Sequence, residues 1–122
     1  MKDDDQSIEQ EILDKGLTAP RVTPADIEAN IVSEYFFTAS DGVSVAANQS
    51  PSFCFESSLA LLTFCVLVLR NGFTVTGESA CASPENFDAD IGRKIARQNA
   101  VQKIWPLMGY ALKDKLAGAT NP

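Results

Sequence analysis

"TFCVLVLRNGFTVTGESAC", Thr63 to Cys81, places two β-rich runs on either side of Asn71-Gly72. Asn-Gly between such runs is the strongest short-range hairpin signal, because a type I′ turn requires positive φ at both central residues. A two-residue loop predicts Arg70 opposite Phe73, Val68 opposite Val75 and Val66 opposite Gly77 on one face. It sets Leu69, Leu67 and Cys65 opposite Thr74, Thr76 and Glu78 on the other. The first run is apolar on both faces and the second on only one, so a central strand is expected beside a more exposed one. Cys65 is expected in the core.

On the N-terminal side, "TPADIEANIVSEYFF" (23–37) carries a helix start: Thr23 as N-cap, Pro24 at the first helical position, and Asp26 three residues after the cap. Ile27, Ile31 and Tyr35 recur at helical spacing, which extends the expected helix toward Tyr35. "SDGVSVAANQSPSFCFESS" (40–58) is rich in Ser, Asn, Gly and Pro and is expected to be a long loop with a short strand near Val43–Ala46.

On the C-terminal side, Ser83-Pro84-Glu85-Asn86 predicts a turn, and Asp88 caps a helix that runs to about Trp105. A helical wheel groups Ile91, Gly92, Ile95, Ala96 and Asn99 on one stripe, opposite Asp90, Lys94 and Arg97. Pro106 is expected to kink or restart the helix, giving a final segment that buries Met108, Leu112 and Leu116 before Gly118 stops it. The fold class is therefore α+β: a small antiparallel sheet built around a 62–70/73–80 hairpin, packed against an N-terminal helix and a C-terminal kinked helix pair. Three parts are expected: an acidic mobile arm or frayed helix over 1–22, a single domain over 23–118 with its long loop at 40–58, and a tail at 119–122.

A chain of 122 residues has room for one modest core. The longest apolar run, Leu59 to Leu69, is broken by Thr63 and falls well short of the roughly 20 residues a spanning helix needs, so no membrane association is expected. The start, "MKDDDQSIEQEILDK", is acidic and lacks the apolar stretch of a signal peptide. Histidine is absent, which removes Ser-His and Cys-His catalysis, His-containing zinc sites and an imidazole proton shuttle. Cys54, Cys65 and Cys81 show no CxxC spacing and are expected to be free thiols, with no metal and no cofactor. Residues 1–60 hold three Lys or Arg against eleven carboxylates, net −8, while residues 61–122 hold seven against five, net +2. Duplex DNA is repelled by such a chain unless the C-terminal half presents a local basic patch.

Three groups of polar residues invite a functional reading. Glu78, Ser79 and Cys81 could be a nucleophile beside a carboxylate, but with no histidine base a polar strand end is the better reading. Asn99, at the centre of the expected apolar stripe, needs a partner if buried; the backbone of a loop is favoured over a ligand. Arg93, Lys94, Arg97 and Lys103, with Trp105 or Phe87 available for stacking, could form an anion or nucleotide surface, against the alternative of a solvated helix face with Asp90 pairing to Lys94. The candidate binding residues are therefore Phe87, Arg93, Arg97, Asn99, Lys103 and Trp105, with no catalytic residue among them.

The segment Cys65 to Leu116, with its NGFTVTGESAC, FDADIGRKIA and KIWPL motifs, resembles the phage gene-product-49/66 family of small proteins encoded by tailed phages and prophages. The helix from Pro24 resembles that family's N-terminal part. The resemblance implies a phage origin and assigns no catalytic residues. Taken with the composition, it leads to the expectation of a non-enzymatic accessory protein in the host cytoplasm that binds a host protein or a small anionic ligand, an anti-defence factor being one form. The alternative is a nucleotide or nucleic-acid binding module in phage DNA metabolism or nucleotide sequestration. The surplus of apolar surface predicts self-association, as a dimer.

Overall fold

The computed structural model describes residues 2–48 and 56–120; Cys54 and most of the Pro/Phe-rich part of the expected 40–58 loop lie outside the described residues. The elements run α1 (Lys2–Asp14), α2 (Pro24–Asn30), β1 (Ile31–Thr38), α3 (Ala39–Ala46), β2 (Leu62–Leu69), β3 (Thr74–Ala80) and α4 (Ala89–Thr120), with short 3₁₀ turns before β2 and before α4. The three strands form one antiparallel sheet in the order β1-β2-β3, so β2, the strand that is apolar on both sides, is central.

α2 begins as its sequence dictates. Thr23 Oγ1 accepts from the Asp26 amide at 3.1 Å, and the Asp26 carboxylate accepts from the Thr23 amide at 3.0 Å, a complete capping box. It ends sooner than the helical spacing of Ile27, Ile31 and Tyr35 suggests. From Ile31 onward "IVSEYFFT" is dominated by β-branched and aromatic residues, which fit a pleated surface better than a helix, and it pairs with β2 as an edge strand with an irregularity at Val32. The loop expected from Ser40 is also corrected. Thr38 and Asp41 form a second capping box, with bonds of 3.1 Å each, and Ala39–Ala46 is helix α3 where a short strand was expected near Val43–Ala46. The acidic arm expected over 1–22 holds helix α1, fastened to the body by Arg21, whose guanidinium donates to both Glu9 oxygens at 2.6 and 2.9 Å.

The hairpin forms, with its register shifted by one residue. The Gly72 amide donates to the Leu69 carbonyl at 2.9 Å and the Leu69 amide to the Phe73 carbonyl at 2.8 Å, enclosing a three-residue loop, Arg70-Asn71-Gly72. Only Gly72 has positive φ, at 89°; Asn71 keeps an ordinary φ and accepts from the Phe73 amide at 2.9 Å through its side chain. This is a turn closed by a glycine bulge rather than type I′. Val75 therefore lies opposite Leu67 and Gly77 opposite Cys65, instead of Val68 and Val66. Gly72→Val should lower stability by about 1–2 kcal/mol, because a β-branched residue resists positive φ, whereas Asn71→Ala should lose only its single side-chain bond, about 0.5–1 kcal/mol. Paired thermal melts check the order of the two.

The register fixes the faces. Cys65, Leu67 and Leu69 of β2 and Val75 and Gly77 of β3 lie under α4 and form the core with Ile27, Ala96, Ala100 and Ile104. Burial, reinforced by the Glu34 carboxylate, pushes the Cys65 thiol up to about 11, so at neutral pH it is a protonated core atom. The opposite face carries Tyr35 and Phe37 of β1 and Phe64 and Val66 of β2, with the Phe37 and Phe64 rings stacked at 5.4 Å. α4 is a single helix that continues through Pro106 and past Gly118, in place of two separate segments.

α4's buried stripe is Gly92, Ala96, Ala100 and Ile104; it shares Gly92 and Ala96 with the stripe drawn from sequence and takes Ala100 in place of Asn99, while Ile91 and Ile95 flank it, 55% and 37% exposed. Small residues every four positions let the helix backbone come down onto the sheet. Bulkier neighbours hold the sides of the contact.

Candidate functional site

The six candidate residues do not gather in one place but divide into two pairs and two single residues. Phe87 and Arg93 line a hollow of about 110 Å³ at the end of the sheet with Phe36, Phe37, Thr38 and Asp41. Asn99 is exposed, and its Nδ2 donates to the Glu78 carbonyl of β3 at 2.8 Å, the backbone partner favoured from sequence, although on a strand and at the surface. Lys103 is exposed and lines none of these hollows. Arg97 and Trp105 form the other pair that meets, in a cleft of about 510 Å³ between α1, α2 and α4.

The expected basic face is largely neutralised. Arg97 donates through Nη1 and Nη2 to Glu28 at 3.1 and 2.9 Å and through Nε to Glu34 at 3.0 Å. The Glu28 bonds, with Glu34 adding, hold its guanidinium charged well above the usual arginine range. Arg93 pairs with Asp90 one turn before it, where sequence spacing had suggested Asp90 with Lys94. Charge reversal therefore has different consequences at the two arginines. Arg97→Glu, which sets three carboxylates together, should cost about 1–2 kcal/mol, while Arg93→Glu should stay within about 0.5 kcal/mol. Denaturant melts of the two variants check this.

Glu78, Ser79 and Cys81 do not converge either. Glu78 and Ser79 are consecutive strand residues on opposite faces, and the Cys81 thiol donates to the Ser83 carbonyl at 3.2 Å. Among the described residues no group of three or more Cys, Asp or Glu is placed to hold a metal ion, and no helix is long and apolar enough to cross a membrane.

The cleft has an apolar floor of Pro24, Ile27, Val101 and Trp105, with polar walls that include Glu28, Lys94, Arg97, Gln98 and Gln102. Asp5 and Gln6 of α1 close one end. Beyond them, under α1, lies a second hollow of about 200 Å³ lined by Ile8, Glu9, Ile12, Arg21, Val22 and again Trp105. Trp105 is thus the wall between the two, half-buried, with its indole Nε1 buried and without a hydrogen-bond partner in the structure. Arg21 holds the Glu9 carboxyl below its ordinary range through their paired hydrogen bonds. The sequence singled out Trp105, but the walls from α1 and α2 required the tertiary fold; the one local signal was the recurrence of Lys94, Gln98, Val101 and Trp105 at helical spacing along α4.

No curated protein and no solved structure matches the chain. Residues 22–116, from the strap before α2 to the exposed part of α4, match the phage protein (N4 Gp49/phage Sf6 gene 66) family, and the chain belongs to that family.

Proposed function

We propose that this phage-family protein is a non-enzymatic accessory factor that acts in the cytoplasm of the infected cell by binding a host protein. The observation that carries this reading is the cleft between α2 and α4, about 510 Å³, with an apolar floor and mixed-charge walls. Such a surface suits recognition of another molecule, and its volume lies within the range of ordinary binding clefts. A small anionic ligand or a nucleotide is less well served, because Arg97 is already bonded to two carboxylates and Arg93 to one. Interference with a host defence is one concrete form the role takes.

A photo-crosslinking residue at Gln98, in the cleft wall, tests this in infected cells. A discrete host adduct is expected there and none from the same residue at Lys113, far along the exposed end of α4. Equal labelling from both positions, or none from Gln98, would remove the cleft as the binding site.

The face away from α4 supports self-association, since Tyr35 and Phe37 stay 60% and 40% exposed beside Phe64 and Val66. We expect a dimer in sedimentation at tens of micromolar, roughly the range where modest interfaces assemble, and a shift toward the 13.1 kDa monomer in Tyr35→Lys.

A further inference from the structure

We propose that the α2–α4 groove is the docking site for an acidic amphipathic helix of a partner protein, and that α1 occupies one end of it as an internal competitor. The inference rests on the reading of the cleft as a protein-binding site and names the occupant.

The first observation is what already sits there. α1 carries one lysine against six carboxylates over Lys2–Asp14, with Ile8 and Ile12 one turn apart. These two isoleucines line the smaller hollow together with Val22, Pro24 and Trp105, while Glu9 bonds Arg21 and Asp5 accepts from the Gln102 side-chain amide at 3.2 Å. The groove therefore already holds one acidic helix through apolar contacts at helical spacing and through carboxylates met by side-chain N–H donors. That is the helix-in-groove mode of recognition.

The second observation is that α1 fits poorly. Ile8 and Leu13 remain 55% and 54% exposed, two hollows persist along the contact, and the Trp105 indole N–H is buried with no acceptor. An unmet buried donor and unfilled apolar contacts both weaken the docked state, so α1 is held loosely enough to be displaced.

The third is length. The cleft follows α4 from Lys94 to Trp105, about 16 Å at 1.5 Å per residue, and among the described side chains α1 reaches it through Asp5 and Gln6 at one end. A partner helix of three to four turns spans the whole groove, with its apolar side on Ile27, Val101 and Trp105 and carboxylates toward Arg21 and Lys94. The groove from Pro24 to Trp105 lies within the family match over residues 22–116, whereas α1 lies before it. The groove residues Ile27, Lys94, Val101 and Trp105 thus lie within the family match, and α1 and Arg21 lie outside it.

Trp105 is the single tryptophan of the chain, so its indole N–H gives one resonance that reports the groove. The experiment compares the full chain with Glu9→Arg/Ile12→Asp, which repels α1 from Arg21 and from the apolar hollow. The indole resonance should move in the double variant while the melt stays cooperative. The probe is a capped peptide with the sequence of residues 2–17, added up to about 1 mM, since a helix tethered by a short linker experiences an effective concentration of that order. The peptide should return the resonance toward its wild-type position in the released chain, with little effect on the wild type. A version with Asp and Glu replaced by Asn and Gln should bind at least tenfold more weakly, and Val101→Arg in the released chain should abolish binding. An indole resonance identical in wild type and double variant, no response to the peptide in the released chain, or equal binding of the uncharged version would each overturn the proposal. If the peptide fails while Gln98 still yields its host adduct, the cleft binds a partner of other chemistry; if both fail, the cleft reading falls as well.

Discussion

Gly77→Ala should remove a large share of the protein's stability, an effect out of proportion to one methyl group. A Cβ at Gly77 would press into the Ala96 carbonyl oxygen and the Ala100 amide nitrogen and lie 2.9 Å from the Ala100 Cα. All three are helix backbone atoms, which cannot rotate away as a side chain would. Relief requires α4 to lift from β3 along the stripe of Gly92, Ala96, Ala100 and Ile104, opening the packing above Cys65, Leu67 and Val75. Overpacking a core costs about 1–3 kcal/mol where side chains can adjust, and this contact belongs at or above the top of that range. Against total stabilities of about 5–15 kcal/mol, such a loss leaves little folded protein near its normal melting temperature. Gly109→Ala is the control, since a Cβ there meets nothing within 4 Å and alanine favours the helix. Denaturant titration should find Gly77→Ala at least about 3 kcal/mol below wild type and Gly109→Ala at or slightly above it. A Gly77→Ala midpoint within about 1 kcal/mol of wild type would show that α4 does not lie so close to β3.

The same contact explains what could and could not be read in the sequence. Composition and local pattern made β2 legible as the central strand, because Leu62–Leu69 is apolar at every position but Thr63, and they made the α2 cap legible, because Thr23-Pro24-Ala25-Asp26 is a local motif. The α4 stripe was legible only in part, at Gly92 and Ala96. Hydrophobicity weights Ile91 and Ile95 above Gly92 and Ala96, yet close approach to Gly77 selects the small residues, and that preference exists only once the sheet is present. β1 was misread because Ile27, Ile31 and Tyr35 satisfy helical spacing while the intervening residues favour a strand; pairing with β2 decided it. The α3 start could have been found, since Thr38-Ala39-Ser40-Asp41 repeats the spacing of the Thr23 capping box, but the polar composition after it obscured the signal. The hairpin shows a finer limit. Asn-Gly specified a turn and left its length open by one residue, and that residue set which side chains face α4.

For the cleft, residue type alone drew attention to Arg97 and Trp105 and to four others that the fold places elsewhere, Phe87 and Arg93 together in a smaller hollow and Asn99 and Lys103 apart from it. A run of cations on one helix reads as a basic surface until the carboxylates that meet it are known. Glu28 and Glu34 come from α2 and β1, more than sixty residues away in sequence, and nothing local announces them. The family resemblance seen over Cys65 to Leu116 extends in the match to residue 22, so α2, β1 and α3 belong to the same family unit as the hairpin and α4.

The second large effect falls on the long helix and separates two views of it. If a distinct final segment packed Met108, Leu112 and Leu116 into the core, truncating any of them would open a cavity. Among the described residues the last fully buried one of α4 is Ile104, at 0% exposure; Met108 is half-buried against the core and Leu112 half-buried, whereas Leu107, Tyr110 and Leu116 are 41%, 73% and 37% exposed. Ile104 is also among the largest wholly buried side chains, packed in the cluster with Ile27, Leu67 and Val75. Ile104→Ala should therefore cost about 2–5 kcal/mol, the lost transfer free energy plus that of an unfilled cavity, because the small-residue packing on its N-terminal side leaves little freedom to collapse. Leu116→Ala should change stability by less than about 0.5 kcal/mol, as expected for a surface position where alanine's helix propensity offsets the lost contact. The ratio is the diagnostic quantity. A Leu116→Ala loss comparable to that of Ile104→Ala would mean that the end of α4 is covered in solution, by a second copy or by another part of the chain, and the sedimentation of Leu116→Ala against wild type would say which: loss of the dimer for a second copy, an unchanged mass for the chain itself.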